Sequence, residues 1–146
     1  MGGSNDWTGD PSGDRPAPET STRRVRDLSQ RDFEIEFLGG VLERDPYFAE
    51  AIRVHAGNLA AKGLYSQALR LDNRLVRLLP EDCIAWYNLA CSYSMLGMLD
   101  PAFSSLQRAF ELGYRCQERL RRDPDLGPLR DDPRFLRLIR RFEFIL

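Results

Sequence analysis

Only one residue with the chemistry of a general base near neutral pH occurs in the chain, the histidine His55. It stands between Val54 and Ala56 in a helical pattern, and no nucleophile lies at a recognisable motif spacing from it. We therefore expect a half-buried, hydrogen-bonded imidazole with a packing role, against the alternative of catalysis or metal binding. The pair Gly39-Gly40 lacks the preceding strand and the lysine of a phosphate-binding loop, so no nucleotide site is predicted there.

The three cysteines, Cys83, Cys91 and Cys116, are odd in number, and none of them forms the close pairs that zinc and redox motifs need. We expect free thiols in a reducing compartment and no disulfide framework. Cys91 could face a groove as a reactive thiol, so thiol or hydrolytic catalysis at Cys91 or His55 stays a remote alternative. The prediction is a protein that is not an enzyme, with no catalytic residue, no metal site and no cofactor.

The charge balance excludes further classes of ligand. Lys and Arg total 21 and Asp and Glu total 22, which gives a net charge of −1. A balance of this kind predicts no general attraction to nucleic acid or to a membrane surface. No apolar run is long enough for a signal peptide or a membrane span, so we expect a cytoplasmic protein, and the excess of arginine over the single Lys62 is typical of a bacterial coding sequence.

The function that remains is recognition of another protein. The surface that binds this protein must be formed by a repeat in the sequence. Gly63 and Gly97 are 34 residues apart, and so are Pro46 and Pro80. The same register relates pairs of mostly apolar residues, which are Ala51 and Ala85, Leu59 and Tyr93, Tyr65 and Leu99, Ala68 and Ala102, and Leu78 and Leu112. This period is typical of antiparallel helix pairs that stack on their neighbours to bury their apolar faces.

The second copy shows how each helix pair is built. Trp86, Leu89, Ala90 and Tyr93 recur at helical spacing, which predicts a first helix over residues 83–96 that Gly97 ends. Asp100-Pro101 then predicts the start of a second helix, because Asp can accept from free N–H groups and Pro suits the first helical position. Its inward-facing residues are Ala102, Leu106, Ala109 and Phe110, and the first copy repeats the scheme with Ile52, Leu59, Gly63, Ala68, Leu71 and Leu75.

These residues resemble the signature of the tetratricopeptide repeat (TPR) family, which the second copy matches at Trp86, Leu89, Ala90, Tyr93, Gly97, Ala102, Leu106 and Ala109. Tyr114 stands where the family usually has Pro, and the first copy departs with Ile52 for a large aromatic residue and His55 for Leu. The resemblance implies an all-α fold, a short right-handed α-solenoid of antiparallel helix pairs with about two full repeats.

The resemblance also divides the chain. Residues 28–48 are a capping half-repeat with a helix over 29–44, residues 49–82 are repeat 1, and residues 83–116 are repeat 2. Residues 117–146 resemble the element that follows many bacterial TPR arrays.

At the C-terminal end, Asp123-Pro124 and Asp132-Pro133 each predict a helix cap followed by a first helical residue. The final helix places Phe135, Leu138, Ile139 and Phe142 on the face that closes the stack. At the other end, residues 1–27 are poor in apolar side chains and are predicted to be a disordered tail. In the half-repeat, Gly39-Gly40 is expected to allow close packing against a neighbour.

In TPR proteins the first helices of successive repeats line a concave surface that binds peptides or partner helices. The resemblance therefore implies a partner-binding groove of Glu50, Arg53, Val54, Gly57, Ala60 and Ala61 from repeat 1 and Ile84, Tyr87, Asn88, Cys91, Ser94 and Met95 from repeat 2. Arg53 and Asn88 occupy positions at which some family members clamp a peptide C-terminal carboxylate. The small and apolar residues of the groove would instead favour an apolar or helical peptide.

The predicted function is a non-catalytic adaptor or scaffold for protein–protein interaction, which binds a peptide or helix of a partner protein in this groove. Two full repeats are fewer than the three that a solenoid usually needs. A self-assembling structural or oligomerisation module, a homo-oligomer, is therefore the alternative.

Overall fold

The computed structural model describes the backbone of residues 19–144 and the side chains of residues 30–144. Within this range the chain folds into α-helices and one 3-10 turn, and the described residues contain no β-strand. The helices are α1 Glu19–Arg44, α2 Ala49–Ala61, α3 Tyr65–Leu78, α4 Cys83–Met95, α5 Leu99–Glu111, α6 Gln117–Arg122, α7 Gly127–Arg130 and α8 Pro133–Arg141, with the 3-10 turn at Pro124–Leu126 between α6 and α7. Adjacent helices pack in pairs, α1 on α2, α2 on α3, α3 on α4 and α4 on α5, so the predicted all-α solenoid is confirmed.

The two copies of the repeat have the same turn between their helices. Gly63, between α2 and α3, has φ of +78°, and Gly97, between α4 and α5, has φ of +73°. In both turns the next residue donates its N–H back to the helix, with 2.9 Å from Leu64 N to Leu59 O and 2.9 Å from Met98 N to Tyr93 O. Glycine adopts this left-handed backbone without the strain a side chain would bring, which is why it stands at both turns.

The start of α5 differs from the prediction. The N-cap is Met98, which makes no side-chain cap, and the helix already begins at Leu99, so Asp100 lies inside the first turn. The turn at Gly97 fixes Met98 so that its carbonyl accepts from Ala102 N at 3.1 Å, which leaves no capping position for Asp100. The Asp100 carboxylate instead pairs with Arg134 of α8, with 2.6 Å between Arg134 Nη1 and Asp100 Oδ1.

The first helix also differs from expectation. It begins at Glu19, so residues 19–27, which the composition assigns to the tail, have helical backbone. The rest of the predicted tail lies outside the described residues. Gly39 and Gly40 lie within α1, and a Cβ added at either would have no atom within 4 Å, so the expected close packing at this pair is wrong.

Two apolar clusters form the core. One lies where α1 to α4 meet and contains Leu42, Ala51, Ile52, Leu75, Val76, Ala85 and Leu89. The other lies between α4, α5 and the C-terminal helices and includes Ala90, Ala102, Leu106, Ala109, Phe110, Leu120, Leu126 and Leu129. Trp86 and Tyr93 of α4 pack against both clusters, which makes α4 the central helix of the described structure.

The C-terminal helices cover the open side of α4 and α5. Phe135, Leu138 and Ile139 of α8 are buried, and Phe142 packs on Phe110 with 5.4 Å between ring centroids, so the apolar face predicted for this helix is confirmed. Asp132 accepts from Arg134 N at 2.9 Å as the predicted N-cap of α8. Among the described residues no helix has the length and apolar character needed to cross a membrane.

Candidate functional site

An open cleft of about 650 Å³ lies between the first helices of the two repeats and the segment that joins α6 to the 3-10 turn. One wall comes from α2, with Ala56, Gly57, Ala60 and Ala61. The opposite wall comes from α4, with Ile84, Tyr87, Asn88, Cys91 and Ser92. Small residues on the α2 side leave the cleft wide, which suits the entry of a side chain or a short segment of chain from another molecule.

Carboxylates approach this cleft from two directions. Asp72 comes from α3, and Asp123 and Asp125 come from the segment after α6. Arg119 of α6 supplies a positive charge at the margin, where its guanidinium carbon lies 5.8 Å from the centroid of the Tyr87 ring. The cleft is thus lined by three carboxylates and one guanidinium, so its charge is negative when all four groups are ionised.

Two tyrosine hydroxyls hold the carboxylates after α6 in place. Tyr87 donates to Asp123 Oδ2 at 2.6 Å, and Tyr65 donates to Asp125 Oδ1 at 3.1 Å. The second oxygen of Asp123 accepts from Asp125 N at 3.0 Å and so caps the 3-10 turn, as the Asp-Pro motif predicts. Burial raises the pKa values of Tyr87 and Tyr65, and the neighbouring carboxylates add to the shift, so both hydroxyls keep their protons and act as donors.

Asp72 is the most deeply buried of the acidic groups. Its side chain lies on the inner face of α3 and the residue is 3% exposed, while Ser92 donates to Asp72 Oδ2 at 2.6 Å. Burial raises the pKa of this carboxyl to about 6, although the hydrogen bond from Ser92 lowers it. Burial also raises the pKa of Asp125. The cleft therefore holds carboxyl groups that would be stabilised by a positive charge brought in from outside.

Cys91 lies beside these carboxylates. Its sulfur and one oxygen each from Asp123 and Asp125 all lie within 4.8 Å of one another, so these three residues are the ones that could hold a metal ion in the described part of the chain. Sulfur and carboxylate ligands together would suit Zn²⁺. Burial, reinforced by the two carboxylates, raises the pKa of the Cys91 thiol well above its ordinary value, which is unfavourable for a thiolate nucleophile.

The structure brings part of the predicted groove together in this cleft. Gly57, Ala60, Ala61, Ile84, Tyr87, Asn88 and Cys91 all line it. The remaining predicted residues lie elsewhere. Glu50, Val54 and Met95 are exposed outside the cleft lining, and Ser94 is 1% exposed with its hydroxyl oxygen buried and without a hydrogen-bond partner among the described residues.

Arg53, which stands at one of the two possible clamp positions, is already paired. Its guanidinium donates to Asp82 Oδ2, and the other oxygen of Asp82 caps α4 by accepting from Ile84 N at 2.9 Å and Ala85 N at 3.1 Å. Burial would raise the pKa of Asp82, but the hydrogen bonds from Arg53 and from the helix backbone outweigh it and hold the pKa below its ordinary value. Arg53 thus belongs to the junction between repeats in this structure.

His55 does not line the cleft. Its Nδ1 atom is buried and has no hydrogen-bond partner in the described residues, so the hydrogen-bonded imidazole that the sequence suggests is not formed at this nitrogen. Burial lowers the pKa of His55, which favours the neutral ring. His55 therefore does not share the cleft lining with Cys91 and the three carboxylates.

The cleft also contains polar residues that are not part of the predicted groove, which are Tyr65, Asp72, Ser92, Arg119, Asp123 and Asp125. For Asp72 a signal exists, because the same repeat position in the second copy is Leu106, which is fully buried. A carboxylate at a packing position predicts a buried acidic group. Asp123 and Asp125 offer no such signal, because their place beside the cleft depends on how the chain turns after α6, where the repeat pattern has decayed.

Comparison with protein-family models finds no match for this chain. Among curated proteins, the chain is 36% identical over 84 residues to a chloroplastic protein of Arabidopsis thaliana, a match that covers 56% of this chain and 25% of that protein. It is also 33% identical over 57 residues to "Cell division cycle protein 16 homolog" of Homo sapiens, and equally to the protein of that name from Mus musculus, with 39% of this chain and 9% of those proteins covered.

The chain therefore spans a quarter or less of the length of these curated relatives. Together with the all-helical fold, the partial matches support a TPR-like helical repeat.

Proposed function

We propose that this chain is a cytosolic adaptor of the tetratricopeptide type, without catalytic activity of its own, which binds a segment of a partner protein in the cleft. The 34-residue repeat with its two glycine turns supports the assignment to this family. Binding through the cleft follows from its position, because α2 and α4 are the first helices of the two repeats and both contribute a wall.

The single observation that carries this proposal is the open cleft of about 650 Å³ itself. Its volume lies within the range of about 300–1,000 Å³ that is usual for binding pockets. The cleft is built on helices that pack into two apolar clusters, and binding sites on packed helices hold their residues more precisely than sites on loops. Small side chains on the α2 wall leave the space free for the partner.

The site gives little support to the enzymatic alternative. A thiol with a raised pKa is a poor nucleophile at neutral pH, and Cys91 has no histidine base beside it in the cleft. Nor does the geometry favour a clamp for a C-terminal carboxylate, because Arg53 is paired with Asp82 and the carboxylates of the cleft would repel that ligand. We infer that the chain binds a partner protein and catalyses no reaction.

Filling the cleft tests the proposal. Gly57 is exposed and lines the cleft, and a Cβ added there meets no atom within 4 Å, so we expect Gly57→Trp to place a large side chain in the cleft. Gly39→Trp on α1 is the matched control, since its position is equally free of neighbours and lies outside the cleft. A partner captured from lysate should be retained by the wild type and by Gly39→Trp and lost with Gly57→Trp.

Circular dichroism of the three proteins must show equal helix content for the comparison to be valid. Equal capture by all three folded proteins would rule out the cleft as the binding site.

One observation favours self-assembly as the second candidate. Phe33 and Phe37 on α1 are 66% and 60% exposed, and their rings stack with 6.2 Å between centroids. Two chains could bury these rings against each other. Light scattering that shows a strict monomer across a wide range of concentrations would remove this candidate, whereas a dimer that Phe33→Ser and Phe37→Ser dissociate would establish it.

A further inference from the structure

The carboxylates of the cleft have no cationic partner among the described residues. Asp72, Asp123 and Asp125 form no ion pair with a Lys, Arg or His side chain in this part of the chain, although several exposed carboxylates elsewhere do, such as Asp100 with Arg134. Arg119, which shares the cleft, lies over the Tyr87 ring. Three acidic groups therefore converge on one cleft in which Arg119 is the cationic side chain of the described lining, and Arg119 forms no ion pair with any of the three.

The burial of Asp72 distinguishes this group of carboxylates from a cluster of acidic residues on the surface. The residue is 3% exposed, its Oδ2 is held by Ser92 at 2.6 Å, and its Oδ1 accepts no hydrogen bond from the described residues. A buried carboxylate costs free energy unless it is paired and hydrogen-bonded. Since Asp72 also lines the cleft, its free oxygen is a preformed acceptor at the base of an accessible cavity.

The two tyrosines add to the same chemistry. Tyr87 and Tyr65 donate their hydroxyl protons to Asp123 and Asp125, so each phenolic oxygen offers only lone pairs to the cleft. Donor-rich, positively charged groups fit such a lining, whereas carboxylates and phosphates do not.

We propose that the cleft recognises a basic side chain, lysine or arginine, presented by the partner protein, with its charged head among Asp72, Asp123 and Asp125 and its stem over the small residues of α2. This inference rests on the proposed function and specifies the chemistry of the partner. It replaces both ligands expected from the family resemblance, the C-terminal carboxylate and the purely apolar peptide, with a cationic one. A hydrogen-bonded charge pair of this kind is stronger than a neutral hydrogen bond.

Selection from a phage-displayed library of random linear peptides tests the inference and the proposed function separately. Peptides enriched on the wild type but not on Gly57→Trp bind the cleft. We expect such peptides to share a Lys or Arg at one fixed position. Cleft-dependent peptides that share no basic residue would overturn the inference and leave the proposed function standing, and no cleft-dependent peptide at all would overturn both.

Affinity measurements on one selected peptide sharpen the result. Asp125→Asn and Asp72→Asn keep an oxygen that can accept from Tyr65 and Ser92 but remove the charge, and each should weaken binding at least about tenfold. Asp131→Asn, an exposed carboxylate outside the cleft, is the matched control and should bind like the wild type. Replacing the basic residue of the peptide by norleucine should weaken binding to a similar extent, and unchanged affinity in these variants would contradict the inference.

A metal ion is the competing use of these acidic groups, because Cys91, Asp123 and Asp125 could hold one. Calorimetric titration with ZnCl₂ and peptide binding in the presence of EDTA separate the two. We expect peptide affinity to be unchanged by EDTA and lost on neutralising Asp72, which is not one of the three possible ligands. Peptide binding that requires Zn²⁺ would overturn the inference.

Discussion

The hydroxyl of Tyr87 donates to Oδ2 of Asp123 at 2.6 Å and so joins the first helix of the second repeat to the segment that follows α6. The other oxygen of the same carboxylate caps the 3-10 turn. The ring of Tyr87 stacks on Tyr114 with 4.3 Å between centroids, which fixes its direction. This hydrogen bond therefore adds a polar link to the apolar packing of the C-terminal helices on α4, and it positions Asp123 beside the cleft.

Removing this hydrogen bond should destabilise the protein. Tyr87→Phe leaves the stacked ring in place but takes away the donor to Asp123, and a hydrogen bond to a charged group is worth about 1.5–3 kcal/mol. Urea denaturation followed by circular dichroism should show a free energy of unfolding that is lower by about this amount. Tyr47→Phe is the control, because Tyr47 is 70% exposed and its hydroxyl makes no hydrogen bond in the described residues. Equal stability of the two variants would show that the bond to Asp123 contributes nothing.

Stability should depend on pH through Asp72. Burial raises the pKa of its carboxyl to about 6 from an ordinary value of 3.8, so the folded state holds the proton more tightly than the unfolded state. The free energy of unfolding contributed by this group therefore falls as pH rises from about 4 to about 6, and stays constant above that range. A difference of about two pKa units corresponds to about 3 kcal/mol at most.

Asp72→Asn tests this, because the amide cannot titrate. The variant and the wild type should have similar stability near pH 4, and the variant should be the more stable above pH 6 by up to about 2–3 kcal/mol. Asp123, Asp125, Cys91 and Arg119 share the cleft and are present in both proteins, so the difference between the two curves isolates Asp72. Parallel curves from pH 4 to 8 would refute the assignment.

Burial also separates two substitutions that the repeat pattern treats alike. Both Leu96 and Ala102 lie within repeat 2. Ala102 is fully buried between α4 and α5, so Ala102→Arg should prevent folding. Leu96 is 37% exposed at the end of α4, so Leu96→Asp should cost only about 1 kcal/mol, mainly from a negative charge at a helix C-terminus. Circular dichroism measures whether each variant folds, and urea denaturation measures its free energy of unfolding.

Arg53 provides a fourth prediction, on the junction between the repeats. Since its guanidinium pairs with Asp82, Arg53→Glu places two like charges together beside the start of α4. We expect a loss of about 1 kcal/mol, because the pair is partly exposed. Arg70→Glu, at an exposed position of α3 with no ion pair in the described residues, is the control for the charge change. A difference between them that disappears in 1 M NaCl would identify the loss as electrostatic.

Much of the fold follows from the repeat, because the same physical requirement recurs at the same interval. Gly63 and Gly97 are needed for a left-handed turn, and small residues such as Ala68 and Ala102 are needed where helices cross closely. The starts of α3 and α5 are therefore related by the same 34 residues as these glycines. The prediction for the start of α5 is wrong because the helix begins directly after the glycine turn, with Met98 and not Asp100 as its N-cap.

The site is less predictable, because it depends on contacts between distant parts of the chain. Residues from α2 and α4 can be assigned to a concave face, since the repeat register fixes which face of each helix points towards the groove. Asp123 and Asp125 can be interpreted only as local caps, and nothing in the sequence places them opposite Gly57. The acidic character of the cleft thus has two sources, Asp72 from repeat 1 and the two carboxylates that the C-terminal element brings against α4.

The turn glycines give the last prediction, through a contrast between two glycines of the same chain. Gly97 has φ of +73°, a conformation that costs a residue with a side chain about 1–2 kcal/mol, so Gly97→Ala should destabilise the protein by about 1 kcal/mol or more even though a Cβ there meets no atom within 4 Å. Gly39 is helical and equally free of neighbours, so Gly39→Ala should raise the free energy of unfolding by about 0.5–1 kcal/mol.

Thermal unfolding of the two variants should shift the midpoint in opposite directions from the wild type. Space around the Cβ is the same at both sites, so only the backbone conformation can produce opposite signs. A shift in the same direction would mean that the left-handed turn is not what holds α4 and α5 in their antiparallel arrangement.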